Sequence, residues 1–254
     1  FYSGDVSKVT KADIDAIRRQ YETDWDEWPV DLGAPFTDKN NNNRWEPGID
    51  VPGIQNADQV TWLVYNDLDA ILTENFLGSP PIGLEAQITQ WTYKAPNAWG
   101  QAVFRRLRLI NKSNFVVDSM YLGQWADPDL GNYGDDLAGC DSLLGMGFVY
   151  NSQAKDSQYD RFELAPASAG YVLLQGPVVE SPGDTALFNF RTLPNHKNVP
   201  VSSLIFSPPP IGDPPLGGYN QTRSWYKKLR GFLPINDVVN PRPYIHRDGP
   251  LSGR

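Results

Sequence analysis

Gln59 to Tyr65 reads QVTWLVY, and in it Val60, Trp62 and Val64 alternate with Thr61, Leu63 and Tyr65. A period of two built from β-branched and aromatic residues is the pattern of a half-buried strand, not of a helix. The signal recurs at Leu84–Tyr93, Gln101–Asn111 and Phe115–Trp125, with NKSN (Asn111–Asn114) read as a hairpin connection between the last two. Within Gln101–Asn111, Phe104, Arg106 and Arg108 share one side, and Val103, Leu107 and Leu109 the other. Further strands are predicted at Leu144–Asn151, Gly170–Val179 and Ala186–Arg191. Serial strands with few helices predict a mainly β chain, a β-sandwich with long loops. Two helices flank it. Lys11–Glu22 follows a capping-box pair, Thr10 and Asp13, and lines up Ile14, Ile17 and Tyr21. Thr222–Gly231 ends in basic residues and a glycine, with Trp225, Tyr226 and Leu229 expected inward.

These patterns divide the chain into three parts: an N-terminal helix and loop segment (1–56), a β-sandwich core (57–205), and a Pro-rich loop, short helix and extended tail (206–254). SPPPIGDPPLGGY (Ser207–Tyr219) cannot enter a sheet, and the tail from Asn236 to Arg254 has no period of its own, so both are expected to be ordered against another subunit or a missing part of the same polypeptide. The chain opens at Phe1 without a signal peptide, which reads as a processed portion of something longer.

With 254 residues and eight Trp the chain can bury a core, and its 22 Pro, 22 Gly and 20% charged residues suit β structure with long loops. A formal net charge of −8 argues against nucleic acid and for cations. The single cysteine, Cys140, excludes an internal disulfide framework, and no apolar run approaches membrane-spanning length.

Cation chemistry has a specific candidate. In TDKNNNNRWEPGID (Thr37–Asp50) side-chain oxygens recur at every second position, at Asp38, Asn40 and Asn42. Calcium takes six to eight oxygens, and a loop that alternates donors with turning backbone supplies them from few residues. Arg44 would add its carbonyl, Glu46 would reach in directly or through water, and Asp50 would close the site one place later than the usual glutamate. Asn43 replaces the customary glycine, a position asparagine tolerates. A second acidic stretch, QWADPDLGNYGDDLAGCDS (Gln124–Ser142), offers Asp127, Asp129, Asp136 and Asp141 as another cation site, with Asp135 expected to be exposed.

The order WPVDLGAPF (Trp28–Phe36), DKNNNNRWEPGIDVPGI (Asp38–Ile54), ADQVTWLVYND (Ala57–Asp67), INKS (Ile110–Ser113) and YLGQWADPDLGNYGDDLAGCDSLLGMGFVYN (Tyr121–Asn151) resembles large secreted surface proteins of the Bacteroidota and Ignavibacteria group. The likeness is strongest from Trp28 to about Asn151. It implies export by the type IX secretion route and a cell-surface or extracellular location, and it brings no catalytic residue. It also implies O-glycan acceptors at Asp-Ser/Thr motifs, of which Ser142 and Thr185 are the better candidates and Ser119 a third.

Enzyme signatures are sparse. Neither His196 nor His246 sits in a paired metal motif, no GxSxG elbow occurs, and Gly145-Met146-Gly147 lacks the rest of a dinucleotide fingerprint. Cys140 as a nucleophile and Asp136 with Glu163 as a glycosidase pair are nominal candidates. The residues point to a non-enzymatic, calcium-stabilised structural or adhesive protein of a surface assembly or fibre, whose partners are other copies or other surface proteins. The alternative is a carbohydrate-binding module or glycosidase-associated domain binding polysaccharide through Trp91, Trp99, Trp125 and Tyr133.

Overall fold

A computed structural model describes residues 6–189, 191–207 and 212–233. The chain is mainly β, with an N-terminal helix and a short C-terminal helix, as expected. The described elements run α1 (Lys11–Asp26), β1 (Phe36–Thr37), β2 (Val51–Pro52), β3 (Gln59–Asn66), α2 (Ala70–Leu77), β4 (Leu84–Thr92), β5 (Val103–Asn111), β6 (Asp136–Asp141), β7 (Met146–Asn151), β8 (Ser168–Val172), β9 (Val178–Phe188), β10 (Arg191–Asn198) and α3 (Tyr219–Leu229). The strands form four antiparallel sheets: β1–β2, β3–β4–β5, β6–β7–β8 and β9–β10. The described residues group into two compact units, one comprising residues 6–73 and 80–117 and the other 74–79, 118–189, 191–207 and 212–233. Each three-stranded sheet is made of strands close in sequence, so each closes within its own unit.

In the first unit α1 begins at the predicted capping box: Thr10 Oγ1 accepts the Asp13 N–H at 3.2 Å, and Asp13 Oδ2 accepts the Thr10 N–H at 2.8 Å. Its sequence stripe finds no core, since none of its residues is buried and Ile14 and Tyr21 are exposed. The β3–β4–β5 register pairs Leu63 with Ile88 and Ile88 with Leu107, so the predicted alternation holds across all three strands. The face carrying Gln87 and Thr89 is covered by the chain's own N-terminal segment, through Gln87 Nε2 donating to the Leu32 carbonyl at 3.1 Å. Asp67 closes the β3–β4 connection, its carboxylate accepting the N–H groups of Ile82, Gly83 and Leu84 at 2.6, 3.2 and 2.7 Å.

Four expectations change. Phe115–Trp125 is not a strand: Asn111 takes over the turn, accepting the Ser113 N–H and donating Nδ2 to the Phe115 carbonyl, which ends the pairing. Gly170–Val179 breaks after Val172 and resumes as β9 at Val178, because the intervening segment carries Gly176 and Pro177. Ala186–Arg191 straddles the β9–β10 hairpin and is not one strand. In α3 the buried residues are Ser224 and Lys228, while Tyr226 is exposed. Lys228 is buried because its ammonium pairs with Asp213 and Ser207 Oγ and lies 5.0 Å from the Trp225 ring. The expected docking segments fall in part, and the 236–254 tail wholly, outside the described residues.

Gly33 lies in left-handed backbone at φ 107°, where an added Cβ would meet the Gln87 amide at 2.9 Å, whereas Gly48, at φ 85°, has open space. Both alanine variants should carry left-handed strain of about 1–3 kcal/mol. Gly33→Ala adds the collision. Chemical denaturation should therefore show Gly33→Ala to be the less stable of the two, and equal midpoints would contradict this packing of the sheet's polar face.

Candidate functional site

The Asp38–Asp50 loop is organised around carboxylates and Asn side chains. Asp38 Oδ1 accepts the N–H groups of Asn40 and Asn42 at 3.2 and 3.3 Å, and Oδ2 accepts that of Asn43 at 2.6 Å. Asn40 Oδ1 accepts the Asn42 N–H at 3.2 Å, and Asn42 Oδ1 the Arg44 N–H at 2.8 Å. These successive turns need left-handed backbone at the residues between, and Asn41 (φ 59°) and Asn43 (φ 60°) provide it. Asn40 and Asn42 thereby present their amides to one point, where both Nδ2 groups donate to Glu46 Oε2. Partial desolvation raises the Asp38 pKa, but the amides of Asn43, Asn41, Asn42 and Asn40 outweigh it and hold the carboxyl below its ordinary range.

The structure thus brings Asp38, Asn40, Asn42 and Glu46 together. Asp50 acts differently, as a tie between the two ends of the loop. Only 2% exposed, it accepts the Lys39 N–H through Oδ1 and the Glu46 N–H through Oδ2, both at 2.9 Å. The backbone of Arg44 is drawn into the same turn series through its N–H. Asn40 and Asn42 turn their Nδ2 groups, and not their oxygens, toward Glu46, while their Oδ1 atoms accept the Asn42 and Arg44 N–H groups.

The second acidic stretch is arranged differently. Asp136 and Asp141 occupy opposite ends of β6, about 16 Å apart for five residues of strand. They cannot share one ion. Asp127 and Asp129 are exposed, Asp141 Oδ1 caps the β6–β7 turn by accepting the Leu143 and Leu144 N–H groups, and Asp136 Oδ2 accepts the Leu130 N–H at 3.0 Å. Asp135, expected exposed, is half-buried, and one oxygen each of Asp135 and Asp136 is buried with no hydrogen-bond partner. Among the described residues no three His, Cys, Asp or Glu side chains converge into a metal-holding group.

The anchor of this stretch is a residue that sequence reasoning missed. Asp156, 1% exposed, accepts the Asn132 N–H (2.8 Å) and Asn151 Nδ2 (3.3 Å) on one oxygen and the N–H groups of Gln158 (2.8 Å) and Tyr159 (2.9 Å) on the other. A Cβ at Gly131 would collide with that carboxylate. The signal present in the sequence is an Asp two residues before a polar turn, too common to single out. The Asn132 amide, ahead of the opposing desolvation, and then those of Tyr159 and Gln158 with the charge of Arg161, lower its pKa.

The remaining candidates are spread over the other elements. A shallow depression of about 510 Å³ along β7 and β8 is lined by Met146, Phe148, Tyr150 and Ser168 among others, with no carboxylate, imidazole, thiol or amine. His196 Nδ1 lies 2.8 Å from the Pro194 carbonyl, Cys140 is half-buried in β6, Glu163 ends a 3-10 turn at φ 56°, and His246 falls outside the described residues. Trp91 and Trp99 both stack on Phe104, at 5.6 and 5.8 Å. Trp125 donates Nε1 to Asp213 at 2.9 Å, and Tyr133 is exposed. Ser119, Ser142 and Thr185 are all exposed. Among the described residues no helix is long and apolar enough to cross a membrane. No family profile, curated protein or solved structure matches the chain.

Because the folded Asp156 pKa is lowered, its contribution to stability is full above the unfolded carboxyl value of about 3.9 and is lost as pH falls through the folded value. Melts from neutral pH to acid should show this loss. Asp156→Asn should be less stable at pH 7 and should flatten the acid limb, with faster amide exchange at Gly131–Gly134. An acid limb as steep as that of the wild type would contradict the role given to Asp156.

Proposed function

We propose that the chain is a non-enzymatic, extracellular structural or adhesive surface protein whose Asp38–Asp50 loop is stabilised by calcium and which works within an assembly or fibre. The observation that carries this reading is the meeting of Asn40 and Asn42 at Glu46, with Asp38 accepting the backbone N–H groups of the same two Asn residues, in a loop tied at its ends by Asp50. Two amide N–H groups offset the Glu46 carboxylate in this arrangement. Calcium would supply that positive charge, with the amides turned so that their oxygens face it. The net charge of −8 supports cation binding, and the resemblance to exported surface proteins supports an extracellular setting, in which a chain with one cysteine needs stabilisation other than a disulfide. Participation in an assembly is supported by the imbalance of apolar residues. Among the described residues the buried ones are Ala34, Ala86, Leu130, Ala138 and Ala186, while many Leu, Ile, Phe and Tyr side chains are exposed. Glycans at Ser142, Thr185 or Ser119 belong to the same reading.

A carbohydrate-binding module is the second reading, favoured by Trp99, which is 59% exposed while backed by Phe104. Specific sugar binding lost in Trp99→Ala would favour that module over the structural role.

Extracellular modules bind calcium with Kd on the order of 0.1–1 mM. At about 10 mM calcium and a Kd of about 1 mM, mass action adds about 1.4 kcal/mol, or about 3–6 °C in Tm. Melting with calcium and with a chelator should show this increment, and Glu46→Gln or Asp38→Ala should abolish it. The increment is the readout, because Asp38→Ala also leaves three backbone N–H donors without their carboxylate acceptor. A wild-type melt indifferent to calcium would sink the reading.

A further inference from the structure

In a chain of net charge −8, the outer strand β5 and the residue after it carry Arg105, Arg106, Arg108 and Lys112 and no carboxylate. Phe104, Arg106 and Arg108 share one face of β5, with Trp91, Thr89 and Gln87 opposite them on β4. Among the strand residues of that face Glu85 is the one carboxylate, and it is engaged by Lys112 at 3.4 Å and by Gln87 Nε2 at 3.0 Å. Arg106 and Arg108 are exposed, and among the described residues neither pairs with a carboxylate. At the Phe104 end the face is aromatic. Phe104 stacks on Trp91 and Trp99 at 5.6 and 5.8 Å, Tyr93 meets it edge-on at 5.8 Å, and Arg106 lies 5.9 Å over the Trp91 ring. Trp99 is 59% exposed, so one side of its indole lies on Phe104 and the other faces solvent. Its backbone is fixed: the N–H donates to Asn97 Oδ1 at 3.1 Å, the carbonyl accepts the Ala102 N–H at 3.2 Å, and a Cβ at Gly100 would strike the Ala95 carbonyl. A platform held in advance loses little freedom when a ligand settles on it.

We propose that Trp99, Arg106 and Arg108 form a binding surface for an acidic polysaccharide, with a sugar ring over the indole and the two guanidinium groups on carboxylate or sulfate groups of the same chain. The proposal rests on the carbohydrate-binding reading above and names the charge of the sugar. The C–H groups of a pyranose ring, slightly positive, meet the negative face of the indole. The planar fork of each guanidinium matches two oxygens of a carboxylate or sulfate. Phe104 and Arg108 are four residues of strand apart, about 14 Å, so the ligand is an oligosaccharide segment and not a single sugar. Arg106 and Arg108 leave the strand about 7 Å apart, which suits anionic groups spaced along a saccharide. Duplex nucleic acid, with one charge per about 1.7 Å, is a far denser polyanion and meets stronger repulsion from a protein of net charge −8.

Titration calorimetry of the full chain should show binding of oligogalacturonate or dextran sulfate, the two probes separating carboxylate from sulfate, and the binding should weaken with added salt. The methyl ester of the same oligogalacturonate and plain dextran, which lack the charge, should bind at least about tenfold more weakly. Trp99→Ala, Arg106→Gln and Arg108→Gln should each weaken binding of the acidic probe about tenfold, whereas Arg105→Gln, on the opposite face of the same strand, should not. Should a variant misfold by circular dichroism, NMR of the wild type serves instead: the Trp99 indole N–H and the Arg106 and Arg108 guanidinium N–H resonances should shift as the acidic probe is added. Equal binding of charged and neutral saccharides that still needs Trp99 overturns the proposal and leaves the carbohydrate-binding reading standing. Saccharide binding that is undiminished in the three folded variants, or that leaves those resonances unmoved, overturns this surface. Binding of none of the four saccharides overturns both the surface and the carbohydrate-binding reading. Tighter binding of single-stranded DNA than of either acidic probe overturns the polysaccharide and gives the surface to nucleic acid.

Discussion

Ionised side-chain oxygens that accept backbone N–H groups hold this protein's loops in place. Asp38, Asp50, Asp67, Asp141 and Asp156 each take two or three such donors, and each ties a turn or a connection between regular elements. The device suits a chain whose buried apolar residues, among those described, are four alanines and a leucine. Charge-assisted hydrogen bonds are about twice as strong as neutral ones, and a short Asp side chain can satisfy several turn amides that would otherwise be stranded. The amides that Asp38 and Asp156 accept hold both carboxyls below their ordinary range.

The same arrangement motivates the proposed cation site in the Asp38–Asp50 loop. Gathering Asp38, Glu46 and Asp50 within thirteen residues concentrates negative charge that backbone and Asn amides offset only through partial dipoles. The divalent ion proposed for this loop would add a full opposing charge where Asn40 and Asn42 meet Glu46. In the β3–β4–β5 sheet the physical problem differs. The face that holds Gln87 meets the chain's own N-terminal segment at Leu32, and Leu63 and Leu107 on the other face are exposed.

How much of this was legible in the sequence follows from the range of the interactions. QVTWLVY, Leu84–Tyr93 and Gln101–Asn111 became β3, β4 and β5 within a residue or two, because alternation is a local property that the pleat reads directly. The Thr10–Asp13 capping box is equally local and formed as read. The Asn-rich loop disclosed which side chains gather, since donors at every second position with αL-tolerant Asn between them share one side. It did not disclose that Asp50 ties the loop's ends, which depends on backbone direction eleven residues away. The acidic stretch misled for a related reason. Closeness in sequence suggested convergence, but Asp136 and Asp141 entered a strand, which holds its ends apart. Phe115–Trp125 carries strand-like residues yet remains unpaired, because pairing needs a neighbour that composition does not specify. Asp156 was invisible, since its partners at Asn132 and Asn151 are brought to it only by the fold.

Calcium in the Asp38–Asp50 loop is tested most directly at the liganding atoms. Carbon-13 NMR of the side-chain carboxylate and carboxamide carbons of Asp38, Asn40, Asn42 and Glu46 during a calcium titration reports on them one by one. All four should shift together along one saturable curve with a Kd on the order of 0.1–1 mM, and Asp50 should move least because its oxygens stay on the Lys39 and Glu46 amides. Resonances that do not respond up to about 10 mM calcium, about tenfold above the weakest affinity expected of such a site, would contradict calcium binding by this loop.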